Sequence, residues 1–146
     1  MAETLGTLVD KLSIVKLKEF HTEDAERLAS LAAQESQLKS EIDEFVAAAI
    51  DGQIPIDRLT FASNKVYKRE GNETREITGT IAEVIASLLD VNAKVWRVQE
   101  SVYDFESVPP DEKNGVIRQL AILNLERNHA IDALDKTFAA MIKTGN

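Results

Sequence analysis

Apolar residues in this chain fall on helical spacings along most of its length. The third of four long segments is the most regular. Ile77, Ile81, Val84, Leu88, Val91, Val95, Val98, Val102 and Phe105 alternate by four and three, the stripe of a helix with one buried face. The first segment, Leu5 to His21, carries two stripes, one of Leu5, Leu8, Leu12 and Val15, the other of Val9, Ile14 and Leu17. A helix apolar that far round packs on more than one side. Thr22, followed by Glu23 and Asp24, predicts a break, with Thr22 as the N-cap of a second helix. That helix, with Leu28, Leu31, Leu38, Ile42, Phe45 and Ala49 inward, runs to Ile50 and stops at Asp51-Gly52. Pro55 opens a short helix over Ile56 to Arg69, closed by Gly71-Asn72. Ser107 to Asp111, with Pro109-Pro110, separates the third long helix from a last one over Glu112 to Lys143. Period-two alternation is nowhere sustained, so strands have no support. The prediction is all-α: one domain over 1–146, an antiparallel helical bundle of three to four long helices plus one or two short ones.

The last helix breaks its own pattern. Ile117, Leu120, Ile131, Leu134, Phe138 and Met141 predict apolar residues at positions 124 and 127, yet Asn124 and Arg127 stand there, with Asn128 alongside and Asp132 one turn beyond. Polar core layers are costly unless partners meet them. The other helices offer such partners. Extending the Ile14, Leu17 stripe of the first helix backward reaches Asp10, and extending it forward reaches His21. On the third helix Asn92 flanks the stripe, with Trp96 one turn along. The expected cluster is therefore Asp10, Asn92, Asn124, Arg127, Asn128 and Asp132 across three helices, with the Arg127 fork matched by Asp10 or Asp132. Such a cluster either fixes helix register or forms a pocket for a small anionic or hydroxyl-rich ligand anchored by Arg127.

Composition narrows the chemistry. The chain has 146 residues, a formal charge of -8 and no cysteine, which removes disulfides and thiolate metal sites. Its negative field disfavours nucleic acid and anionic membrane surfaces; the one basic run, Lys65, Lys68 and Arg69 around Tyr67, reads as a solvated helix end. No apolar run is long enough to span a membrane and the opening MAETLGTLVDKL lacks signal-peptide features, so a cytoplasmic location is expected. Glu126 and His129 form one Glu-x-x-His element, but the seam above points both outward and no second copy occurs, so neither a metal nor another cofactor is implied. An enzyme alternative is a magnesium-dependent, all-α nucleoside triphosphate pyrophosphohydrolase, with Glu41 and Glu44 as one carboxylate pair and Glu73 and Glu76 as the other. There is no Gly-x-Ser-x-Gly and no glycine-rich phosphate loop. Long apolar stripes on few helices predict a homo-oligomer, a dimer first.

Three short motifs, in order, carry a resemblance. They are Leu5-Gly6 with Leu8-Val9-Asp10-Lys11-Leu12-Ser13-Ile14 and Lys18, then Val91-Asn92-Ala93-Lys94-Val95-Trp96, then Asn124-Leu125-Glu126-Arg127-Asn128-His129-Ala130-Ile131-Asp132. Together, over about a third of the chain, they resemble uncharacterised helical domain families of bacteria and phages, often associated with glycosyltransferase or surface-polysaccharide genes. The acidic pair that follows the Trp in those families is here Gln99-Glu100. The resemblance implies a helical bundle and a glycan-related or phage context, and it brings no reaction with it. The resulting expectation is a non-enzymatic or accessory bundle protein.

Overall fold

A computed structural model describes residues 2–61 and 77–145. Among them stand four long helices and no strand: α1 (Leu5–His21), α2 (Ala25–Ile50), α3 (Ile81–Tyr103) and α4 (Lys113–Gly145). Single 3-10 turns occur at Ile56–Arg58 and Phe105–Ser107. Of the helix expected over Ile56 to Arg69, the described residues form only that first turn, capped at Leu59 and not continued through Phe61; residues 62–69, the Gly71-Asn72 stop, the basic run and the pair Glu73, Glu76 lie outside the described residues.

Caps set the helix limits. Thr4 and Thr7 form a reciprocal capping box that starts α1, satisfying two donors that the first turn leaves orphaned. Thr22 is not the N-cap expected of it. Its backbone N–H closes α1 on the Glu19 carbonyl, and Asp24 takes over, its carboxylate accepting the Arg27 N–H at 3.0 Å. The start of α3 also moves, from Ile77 to Ile81. Gly79 sits at φ +130 and Thr80 forms a second box with Glu83, so the chain turns into the helix only there.

α1 and α2 form one hairpin, α3 and α4 the other, and α1 also lies along both α3 and α4. This central position is why α1 is apolar on two faces. α2 leans chiefly on α1, buries only Leu31 and Ala49 fully, and is pinned there by Lys16 to Glu35 at 2.5 Å, with Lys39 on the same carboxylate at 3.2 Å.

The core comes in two pieces. One gathers Leu5, Ala49, Leu59, Val84, Leu88, Leu134 and Phe138; the other gathers Val91, Val95, Val98 and Leu123 from α3 and α4 alone. On α4 the buried residues are Leu123, Ala130, Ile131, Leu134, Asp135, Phe138 and Ile142. The seam drawn through Ile117 and Met141 is thus corrected at both ends: these are 55% and 51% exposed. A straight helix drifts about 20° per heptad from a 3.5-residue repeat, so over this length the stripe passes to Leu123 and Ile142. Position 124 leaves the seam, and Arg127 interrupts it between Leu123 and Ala130.

Candidate functional site

That interruption falls between the two apolar pieces. α1 and α4 run in opposite directions, so Asp10 faces Arg127 while Gly6 faces Ile131 and Asp135. The Arg127 guanidinium donates from Nε to Asp10 Oδ1 at 2.8 Å and from Nη2 to Oδ2 at 2.5 Å, a two-pronged pair. Asn92, fully buried on α3, donates from Nδ2 to the same Asp10 Oδ1 at 2.9 Å and to Ser13 Oγ at 3.2 Å. Its Oδ1 meets no partner among the described residues, the cost of turning both amide hydrogens toward stronger acceptors. Asp10 and Ser13 are buried and Arg127 is half-buried. Hydrogen bonding to Asp10 raises the already high pKa of Arg127 against the opposing effect of burial, so the guanidinium stays charged.

Of the six residues expected to cluster, the structure joins Asp10, Asn92 and Arg127 in one network. Asn128 lines the space beside Arg127. Asn124 is half-buried, and no hydrogen bond ties it to this network among the described residues. Asp132 lies elsewhere, in a different cleft with His129 and Lys136, and Asp10 alone takes the fork. Ser13 belongs to the network and was not anticipated, because a serine beside an apolar stripe carries little signal of burial.

The outer edge of the network opens onto a cleft of about 760 Å³ between α1 and α2. Leu8, Val15, Leu38 and Phe45 give it an apolar floor, and Lys11, Lys18, Gln34, Gln37, Glu41 and Glu44 stand around it with Arg127. Glu41 and Glu44 therefore share one wall, on α2. Among the described residues no three His, Asp or Glu side chains converge to hold a metal ion, and Glu126 and His129 are half-buried on α4. Beyond the network, the His21 ring stacks on Trp96 at 4.9 Å between centroids and 14° between planes, while Trp96 Nε1 donates to Glu100 Oε1 at 3.1 Å. Glu100, the acid after the Trp, thereby orients the indole that meets the end of α1.

A second buried carboxylate was missed by the sequence reading. Asp135 of α4 accepts the Gly6 N–H at 2.7 Å, capping α1 from across the bundle. Burial pushes its pKa up to about 6, against hydrogen bonds from Thr4 and Gly6 that lower it, with the charge of Asp132 adding to the rise. The signal was available: Asp135 stands four residues after Ile131 and three before Phe138, a helical core position.

Among the described residues no helix is long and apolar enough to cross a membrane. Compared with protein-family profiles, curated proteins and solved structures, the chain finds no match in any of the three.

Proposed function

We propose that this is a non-enzymatic, accessory helical-bundle protein that binds a small hydroxylated or anionic molecule in the α1–α2 cleft, with Arg127 as anchor. One observation carries the reading. Buried Asp10 holds the guanidinium by two of its five donors, and the side chain keeps 29% of its surface exposed beside the cleft. The remaining donors are thus charged and held in place. Asp10, Ser13 and Asn92 form the buried half of the network and specify helix register; Arg127 is the half available to a ligand.

Amides, carboxylates and amines over an apolar floor suit a molecule with several hydroxyl groups, whose carbon face packs while its edges hydrogen-bond. The resemblance in the three motifs favours a glycan-related or phage setting, and the cytoplasm is the proposed compartment. Self-association as a dimer is proposed from Ile50 and Met141, both more than half exposed beside an apolar groove of about 430 Å³ with Phe138 and Ile142.

Calorimetric titration against hexoses, sugar acids, sugar phosphates and nucleoside triphosphates with magnesium tests the reading. We expect saturable binding of a hydroxylated compound that Arg127→Lys weakens about tenfold, since an ammonium lacks the planar fork. Circular dichroism should show the same helix content in both proteins. Turnover of a nucleoside triphosphate, or binding of nothing in the panel, overturns it.

A further inference from the structure

Glu3 precedes the Thr4 cap, and its side chain folds forward along α1. Its Oε1 is paired with Lys11 Nζ, eight residues on, and its Oε2 accepts the Thr7 hydroxyl at 2.6 Å. Neighbouring partners on a helix are three or four residues apart; this pair instead spans eight, from the residue before the cap over two turns to a cation. Glu3, Asp10, Lys11 and Arg127 line both the α1–α2 cleft and a second space of about 460 Å³ toward Asn128 and Ile131. The Glu3–Lys11 pair therefore stands between two spaces that would otherwise run together past Arg127.

We propose that the Glu3 carboxylate is an intramolecular stand-in, occupying an anion position made by Lys11 and Thr7 in the space that Arg127 also lines. The ligand is then a hydroxylated monocarboxylate, of the sugar-acid kind, whose carboxylate replaces that of Glu3. This rests on the cleft's being a ligand site, as argued above, and adds the ligand's charge and the competitor it meets.

Three features support it. The position already accommodates a carboxylate: burial alone would raise the Glu3 pKa, yet the Lys11 and Thr7 hydrogen bonds bring it below its ordinary value. The pair is displaceable, with the Lys11 and Glu3 side chains 56% and 42% exposed, and exposed ion pairs hold weakly. The rest of the cleft limits the ligand's charge. With Glu3 swung out, Lys11, Lys18 and Arg127 face Asp10, Glu41 and Glu44, so one added negative charge restores the native count whereas a triphosphate meets repulsion. The Gln34 and Gln37 amides and the Glu41 and Glu44 carboxylates then serve hydroxyl groups.

Titration of the full chain with D-glucuronate, D-glucose and inorganic phosphate decides the matter. Glu3→Ala should bind glucuronate about fivefold tighter than wild type, the factor an exposed ion pair withholds. Asp43→Ala removes the same charge from an exposed position of α2 outside the cleft lining, and should change affinity less than twofold. Lys11→Met should weaken glucuronate at least tenfold and glucose little. Equal gains in Glu3→Ala and Asp43→Ala, or phosphate binding as tightly as glucuronate, sink the stand-in while leaving a ligand cleft intact. No binding of any probe by wild type or Glu3→Ala removes both the stand-in and the cleft as a sugar site.

Discussion

At Arg127 one side chain belongs to both the register of the bundle and the wall of the cleft, and its replacement separates the two. Arg127→Met takes the fork from a buried carboxylate and leaves Asp10, among the described residues, with only the Asn92 amide. Loss of one partner of a fully buried pair costs about 3–5 kcal/mol; with Arg127 partly in water, we expect about 2 kcal/mol by urea denaturation. Asp135 gives a second residue-level test, through pH. Its carboxyl titrates at about 6 instead of 3.8, so the folded protein holds a proton there that the unfolded chain has lost. Its contribution to stability therefore falls as pH rises from about 4 to 6 and stays low above that. Asp135→Asn keeps an oxygen for Gly6 and cannot ionise. The difference between the variant and wild-type stability curves should rise over this window by on the order of 2 kcal/mol, making the variant the more stable protein at pH 7. Parallel curves would show that Asp135 titrates normally.

Helix by helix, the clearest test is the crossing of α1 and α4. A Cβ on Gly6 would lie 2.6 Å from the Ile131 carbonyl oxygen and 2.8 Å from Asp135 Oδ1. A helix backbone cannot yield as a side-chain tip can. Gly6→Ala should therefore cost about 2 kcal/mol in chemical denaturation despite alanine's better helix propensity. Gly115→Ala, also helical but with nothing within 4 Å of its Cβ, should gain about 0.5–1 kcal/mol. These two glycines look alike in the sequence, which shows where legibility stops. Helix number, breaks and the α3 stripe were readable because burial of one face imposes a period on many residues at once. The Asp10, Asn92, Arg127 set was readable because each interrupts or flanks such a period. Ser13 and the need for Gly6 were not legible, since each depends on one contact between distant segments, whereas Asp135 was legible as a polar residue at a core spacing. The α4 seam was misplaced for a related reason: a spacing rule does not say where the helix meets its neighbours.

For the bundle as a whole, the polar layer divides what could have been a continuous apolar core. Replacing Asp10, Asn92 and Arg127 together with Leu, Leu and Met should give a protein at least as stable as wild type, because no charge is then buried unpaired. Arg127→Met alone should be clearly weaker. If the triple variant is instead the least stable of the three, the layer contributes net stability and not only register. Self-association belongs to the same scale. Sedimentation should report a dimer that Met141→Glu converts to monomer, by setting a charge into the groove beside Ile50. A wild-type monomer at all concentrations would remove the dimer.

The contact between Gly6 and Asp135 joins residues 129 positions apart, and that between Asp10 and Arg127 spans 117. During synthesis α1 emerges before α4 exists, so its first turn and its one buried carboxylate must wait for almost everything that follows. Loop closure over such distances slows folding. Until α4 arrives, the nascent chain presents the two apolar stripes of α1 with α2 able to cover only one. Chains halted before Asp135 should show α1 amides exchanging freely with solvent, and chains extended past it should protect them. The order of assembly in this bundle is thus set by its last helix, although its first helix stands at the centre.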